Sequence, residues 1–148
     1  MTSTTGPSIT GPSITGQCMC GSASYEARSE AVMAAHCHCN NCRKSSATGH
    51  SSLLGVPRDA FSINGSLSNY SWRADSGHKL TKHFCPTCGC LVYTENDAWA
   101  NLVILSPNLL DDPENFKPQI VVYASRAASW DQPDDSLPAF AEMPPAPA

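Results

Sequence analysis

Cys18-Met19-Cys20-Gly21 and, far downstream, Cys85-Pro86-Thr87-Cys88-Gly89 decide how this chain folds. The second stretch has the form of a zinc knuckle: two thiols separated by two residues, followed by a glycine free to adopt the positive φ that such turns often need. In the first, extended backbone puts Cys18 and Cys20 on one face, because strand side chains repeat every two residues. A quartet of Cys18, Cys20, Cys85 and Cys88 offers a divalent ion tetrahedral sulfur coordination and closes a loop of more than sixty residues. Metal binding at such a site is coupled to folding, which is a structural role.

Between these halves lies His36-Cys37-His38-Cys39-Asn40-Asn41-Cys42-Arg43-Lys44. Cys37 and Cys39 share an extended face and Cys42 returns from the next turn, so three thiols converge locally. Three protein ligands leave one position open, as catalytic zinc sites usually do. Three thiolates also leave the ion a weaker Lewis acid toward water than neutral histidines would, which turns the reading from hydrolysis toward capture of another thiol. A thiol taken there has a lowered pKa and attacks an electrophilic carbon. Arg43 and Lys44 either offset the charge near this site or form a solvated basic pair. Cys90, two residues past Cys88, is a further candidate ligand that would close the second site. Alternation turns His36 and His38 away from the metal face, and with His50 they read as supporting residues.

The rest of the composition agrees with a small metalloprotein. The 148 residues are 41% hydrophobic, enough for a single core, and a formal charge of −4 with only 9 Lys plus Arg argues against nucleic acid as the main partner. No apolar run approaches the roughly 18–20 residues of a bilayer span, and residues 1–15 lack the apolar core of a secretory signal. The chain is expected to be soluble and cytoplasmic, with no membrane partner. In that reducing setting eight tightly clustered cysteines read as metal ligands rather than disulfides.

Residues 1–15 carry a tandem GPSIT copy and read as a flexible arm without ligand or apolar core. Residues 16–130 are the zinc-binding domain. Prolines 133, 138, 144, 145 and 147 make 131–148 a tail unsuited to helix or central strand, with Trp130, Phe140 and Met143 available to pin it. Strands are expected at 22–27, 67–72, 91–94, 102–105 and 120–123. Asn64-Gly65 and Ser76-Gly77 suit hairpins, Val56-Pro57 marks a break, and a short helix at 40–46 is capped by Asn40. The expected architecture is mainly β and antiparallel, with little helix and with zinc supplementing a modest core.

Taken together, CMCG followed by SASYE, then HCHCNNCRKSSATG, FCPTCGCLVY and the stretch Leu109-Leu110-Asp111-Asp112 resemble the glutathione-dependent formaldehyde-activating enzymes and the related centromere protein V domain. The likeness runs from about Gly16 to Trp130. It implies a zinc-stabilised β-tent fold, a structural zinc on Cys18, Cys20, Cys85 and Cys88, and a catalytic zinc on Cys37, Cys39 and Cys42, two ions per chain. It further implies addition of the glutathione thiol to formaldehyde, or the reverse carbon–sulfur cleavage, with glutathione as co-substrate and a small carbonyl compound as its partner. Cys90 stands where the family more usually has a small hydroxyl residue. Two other readings remain open: a tailoring enzyme of the same family acting on a different metabolite, and a noncatalytic zinc module that binds protein. Low basic content counts against a chromatin version of the latter.

Overall fold

A computed structural model describes residues 13–144. In chain order the elements are β1 (Ile14–Gln17), β2 (Ser24–Ala27), β3 (Met33–Cys37), the helix α1 (Asn40–Ser45), β4 (Ser51–Pro57), β5 (Phe61–Asn64), β6 (Ser68–Arg73), β7 (Lys79–Phe84), β8 (Leu91–Asn96), β9 (Leu102–Leu105) and β10 (Ile120–Val122), joined in places by short 3-10 turns. The ten strands form two sheets, one ordered β1-β2-β5 and the other β10-β3-β4-β9-β8-β7-β6. The fold is mainly β with one short helix, as expected.

The core lies where the small sheet covers the large one. Alternation in β1 and β2 sends Ile14, Tyr25 and Ala27 inward. From the large sheet, the register partners Leu54 with Leu105 and Val56 with Val103 meet them, none more than 1% exposed. Burying each side chain of this kind contributes about 1.5–3 kcal/mol. Tyr25 reaches across the layer and donates its hydroxyl to the Ser106 carbonyl at 2.9 Å.

Several expectations are refined. Every pairing between the named strands is antiparallel except β10 with β3, which is parallel. The chain leaves β9 through the 3-10 turns Pro107–Leu109 and Pro113–Asn115 and re-enters the sheet beside β3 in the same direction. Ser76-Gly77 does close the β6–β7 hairpin. Asn64-Gly65 instead carries the chain from the small sheet into the large one, since β5 pairs with β2 and not with β6. The cap of α1 is Cys39, whose Sγ accepts from the Cys42 N–H, and not Asn40. Strands β1, β3, β4, β5 and β7 lay outside the expected set. Pro57 misled at β4: it is the last residue of that strand, where a missing N–H does little harm.

Both ends of the chain also depart from expectation. The first GPSIT copy lies outside the described residues, but Ile14 of the second is 5% exposed and belongs to the core, so residues 14 and 15 are not arm. Ile14→Ala is expected to lower stability by about 2–5 kcal/mol, the range for truncating a buried isoleucine, as a urea or thermal melt will register. At the other end, proline removes an N–H but keeps its carbonyl. The Pro138 carbonyl accepts from Val121 at 2.9 Å and Phe140 donates back to Val121 at 2.9 Å, giving a single parallel bridge at the β10 edge. These backbone bonds hold the tail; Trp130 and Met143 are exposed.

Candidate metal centres

The four-cysteine cluster is built from two similar turns. After β1, the Gly21 N–H returns to the Cys18 carbonyl at 3.0 Å; after β7, the Gly89 N–H returns to the Cys85 carbonyl at 2.8 Å. Both glycines have positive φ, 81° and 79°, a conformation that a β-carbon disfavours. The sulfur of Cys20 lies 3.7 Å from that of Cys18 and 3.7 Å from that of Cys85. Four sulfurs at zinc–sulfur bonds of about 2.3 Å are tetrahedrally spaced at about 3.8 Å, so the cluster fits zinc. Backbone N–H groups aim at the sulfurs as well, Ala23 to Cys18 at 3.4 Å and Thr87 to Cys85 at 3.4 Å. The Ser22 hydroxyl, followed by the Cys88 N–H, pulls the Cys85 thiol down to about 5, toward the thiolate a metal requires.

The three-cysteine cluster sits at a strand-to-helix junction. Cys37 ends β3 and is buried; the backbone stays extended through Cys39, and one turn of α1 brings Cys42 back beside them. The three sulfurs lie within 4.8 Å of one another. The Ser51 hydroxyl, on the strand paired with Cys37, donates to the Cys42 carbonyl at 2.8 Å and fixes the turn. Hydrogen bonds from the Cys37 and Cys42 thiols, with the N–H groups of Cys42 and Asn41, hold Cys39 as a thiolate, its pKa near 3. The bond to Cys39 in turn pushes Cys37 up to about 12. The trio thus carries one negative charge readily and more only with a cation among the sulfurs, which suits a soft divalent ion.

The surroundings of this trio were only partly visible in sequence. Arg43 is half-buried and tied down, donating to the Arg126 carbonyl at 3.4 Å and to Asn40 Oδ1 at 3.1 Å. Val122 of β10 is the register partner of Cys37, so the next residue, Tyr123, comes to the trio from a strand that is distant in sequence. Among the described residues Tyr123 is the one non-glycine residue with positive φ, 54°. Such conformations concentrate at functional sites. Burial first, and then the charges of Cys37 and Cys39, raise its phenol pKa. No local sequence signal marked Tyr123.

Cys90 stands with the first cluster. Its carbonyl accepts from the Cys85 N–H at 2.9 Å, and its thiol, which receives a Met19 N–H, is nevertheless raised by burial and by its neighbours Cys88 and Cys18. It is not grouped with Cys37, Cys39 and Cys42. Cys90→Ser is therefore expected to leave metal content and activity unchanged, which metal analysis by mass spectrometry checks directly.

His36 and His38 turn to the face opposite Cys37, as alternation requires: His36 Nδ1 lies 3.1 Å from Ser52 Oγ, and His38 packs on His50. Surface grooves elsewhere, such as one of about 290 Å³ between Thr15, Tyr25 and Asn64, contain no cysteine or histidine. No helix among the described residues is long and apolar enough to cross a membrane.

No curated protein matches the chain. Among solved structures, a crystal structure of a Rhodobacter sphaeroides protein, determined as a structural-genomics target, shares the fold with a TM-score of 0.55 at 19% identity, over 68% of this chain and 93% of that one. The sequence profile described as glutathione-dependent formaldehyde-activating enzyme matches residues 13–126, and with most of its length and both cysteine clusters inside that match, the chain belongs to this family.

Proposed function

We propose that the chain is a zinc-dependent carbon–sulfur lyase or synthase that adds the glutathione thiol to formaldehyde and cleaves the adduct in reverse. The observation that carries this reading is the three-sulfur cluster of Cys37, Cys39 and Cys42, which has no fourth protein sulfur beside it, whereas Cys18, Cys20, Cys85 and Cys88 form a complete quartet. In this reading the quartet is structural and the trio catalytic. Cys37, Cys39 and Cys42 would hold the ion, which when bound would supply a soft Lewis acid able to lower the pKa of a substrate thiol.

The chain's own residues account for the remaining steps. Cys37, Cys39 and Cys42 fix the sulfur's position, turning a bimolecular addition into an oriented one. Sulfur attacks the formaldehyde carbon, a carbon–sulfur bond forms as the carbonyl π bond opens, and a proton reaches the new alkoxide oxygen, giving S-hydroxymethylglutathione. Tyr123, kept protonated by burial beside the thiolates, is the residue we assign to deliver that proton. The thiol's own proton leaves to solvent and later restores the phenol. Arg43 and Lys44 offset the negative charge of the cluster. A reducing cytoplasmic setting, which keeps eight thiols free, goes with this reading.

The test is exchange NMR on zinc-loaded protein with glutathione and formaldehyde. Faster interconversion of free thiol and hydroxymethyl adduct than in buffer is expected. A rate equal to the uncatalysed one would assign the chain a different thiol or carbonyl substrate.

A further inference from the structure

We propose that His38, His50 and Asp131 form a third divalent-cation site, on the reverse face of the β3–β4 ladder from the three thiols. The register fixes the placement. Cys37 pairs with Ser51 and His36 with Ser52, so continuing the ladder sets His38 against His50. Cys37 and Ser51 face the thiol cluster, and the histidines face the other way. The ring centroids of His38 and His50 are 4.9 Å apart, and those of His36 and His50 4.8 Å apart.

The third donor comes from the far end of the chain. Asp131 Oδ2 lies 2.5 Å from His50 Nδ1, a contact spanning 81 residues. Gly49 makes room for it, since a β-carbon there would clash with the Asp131 carboxylate. One donor atom from each of His38, His50 and Asp131 falls within a 4.8 Å span.

A second observation points independently to a ligand. His38 is 1% exposed, yet its Nδ1 has no hydrogen-bond partner among the described residues. A buried polar atom left this way is destabilising, and a cation bound at that nitrogen would relieve it. The side chains of His50 and Asp131 keep 24% and 20% of their exposure, so an ion can reach them from solvent. Two imidazole nitrogens and a carboxylate oxygen are borderline donors suited to zinc and other first-row divalent ions, in contrast to the soft sulfur sets nearby. On entering, the ion takes the place of the hydrogen bond between His50 and Asp131, whose proton leaves to solvent. The pair then parts by less than about 1 Å to reach ligand spacing at bonds of about 2 Å. The site joins the ends of β3 and β4 to the segment beginning at residue 131, so the ion acts as a staple for the C-terminal tail.

The test does not depend on catalysis. Full-length wild type, His50→Phe and Asp131→Asn are loaded with zinc, desalted and analysed for metal by mass spectrometry. The wild type is expected to hold one equivalent more than either variant. A measurement without any variant accompanies it: cobalt titrated into wild type, with the new absorption expected to include visible ligand-field bands from a nitrogen and oxygen set that appear with no added thiolate charge transfer. Equal metal content in the three proteins, or cobalt absorption accounted for entirely by thiolate sites, overturns the proposal. Either result leaves the formaldehyde reading untouched, because that rests on Cys37, Cys39 and Cys42.

Discussion

Cys88→Ser is expected to abolish cooperative folding. The Cys18–Cys20–Cys85–Cys88 cluster joins the turn after β1 to the turn after β7, and the Cys20–Cys85 contact spans 65 residues. Zinc at sites of this kind contributes about 10–16 kcal/mol of apparent folding free energy in zinc-finger peptides, as much as the whole 5–15 kcal/mol stability of a typical domain. Serine is a far poorer zinc ligand at neutral pH, and its oxygen leaves the three remaining sulfurs crowded around a weakly held ion. A thermal melt of the purified variant should show no cooperative transition, or one lowered by tens of degrees. Removing zinc from the wild type with a strong chelator should have the same effect. A melt like that of the untreated wild type would show that the quartet is not what holds the two turns together.

Cys39→Ser is expected to do the opposite, sparing the fold and removing activity. The trio is local: Cys37, Cys39 and Cys42 sit on one strand end and the first turn of the helix that follows. Cys39 is also the N-cap of α1, and serine is among the preferred residues for that position, so the helix keeps its cap through the hydroxyl. What disappears is a thiolate ligand. If metal assistance supplies several kcal/mol of barrier lowering, at 1.36 kcal/mol per decade the rate should fall by about a thousandfold or more. Metal analysis should find the quartet's ion retained. A variant that melts like the wild type and is inactive separates the two clusters by role, whereas equal losses of stability in Cys39→Ser and Cys88→Ser would remove that division of labour.

Both cysteine clusters were legible in the chain before any coordinates, because ligand spacing is short-range chemistry. A CxxC followed by glycine, or a CxC on extended backbone, limits where its sulfurs can point whatever surrounds it. The helix at Asn40–Ser45 was legible for the same reason, although its cap turned out to be Cys39, a member of the thiol trio. Strands β6, β8, β9 and β10 announced themselves through β-branched and aromatic runs. The missed strands did not: β7, Lys79–Phe84, mixes two lysines and a histidine with its apolar residues, and its partly buried face comes from pairing with β6 and β8.

Apart from the cysteine quartet, the pairings between distant segments were beyond reach. That Ile14 enters the core depends on its meeting the packed sheet, and an isolated Ile-Thr says nothing of that. Tyr123 arrives beside Cys37 only because β10 docks parallel to β3, and its left-handed backbone is imposed there by the turn into the tail. His50 and Asp131, 81 residues apart, meet through the ladder register at one end and the β10-edge bonding of the tail at the other. Cys90 shows the boundary most clearly. Its position two residues past Cys88 left its cluster open, and the Cys85–Cys90 backbone hydrogen bond, with the Met19 N–H at its thiol, places it beside the first. Ligand identity and local geometry follow from covalent spacing, while the assignment of a residue to one site or another follows from sheet register, an energy shared over many distant contacts that no single stretch of the chain carries.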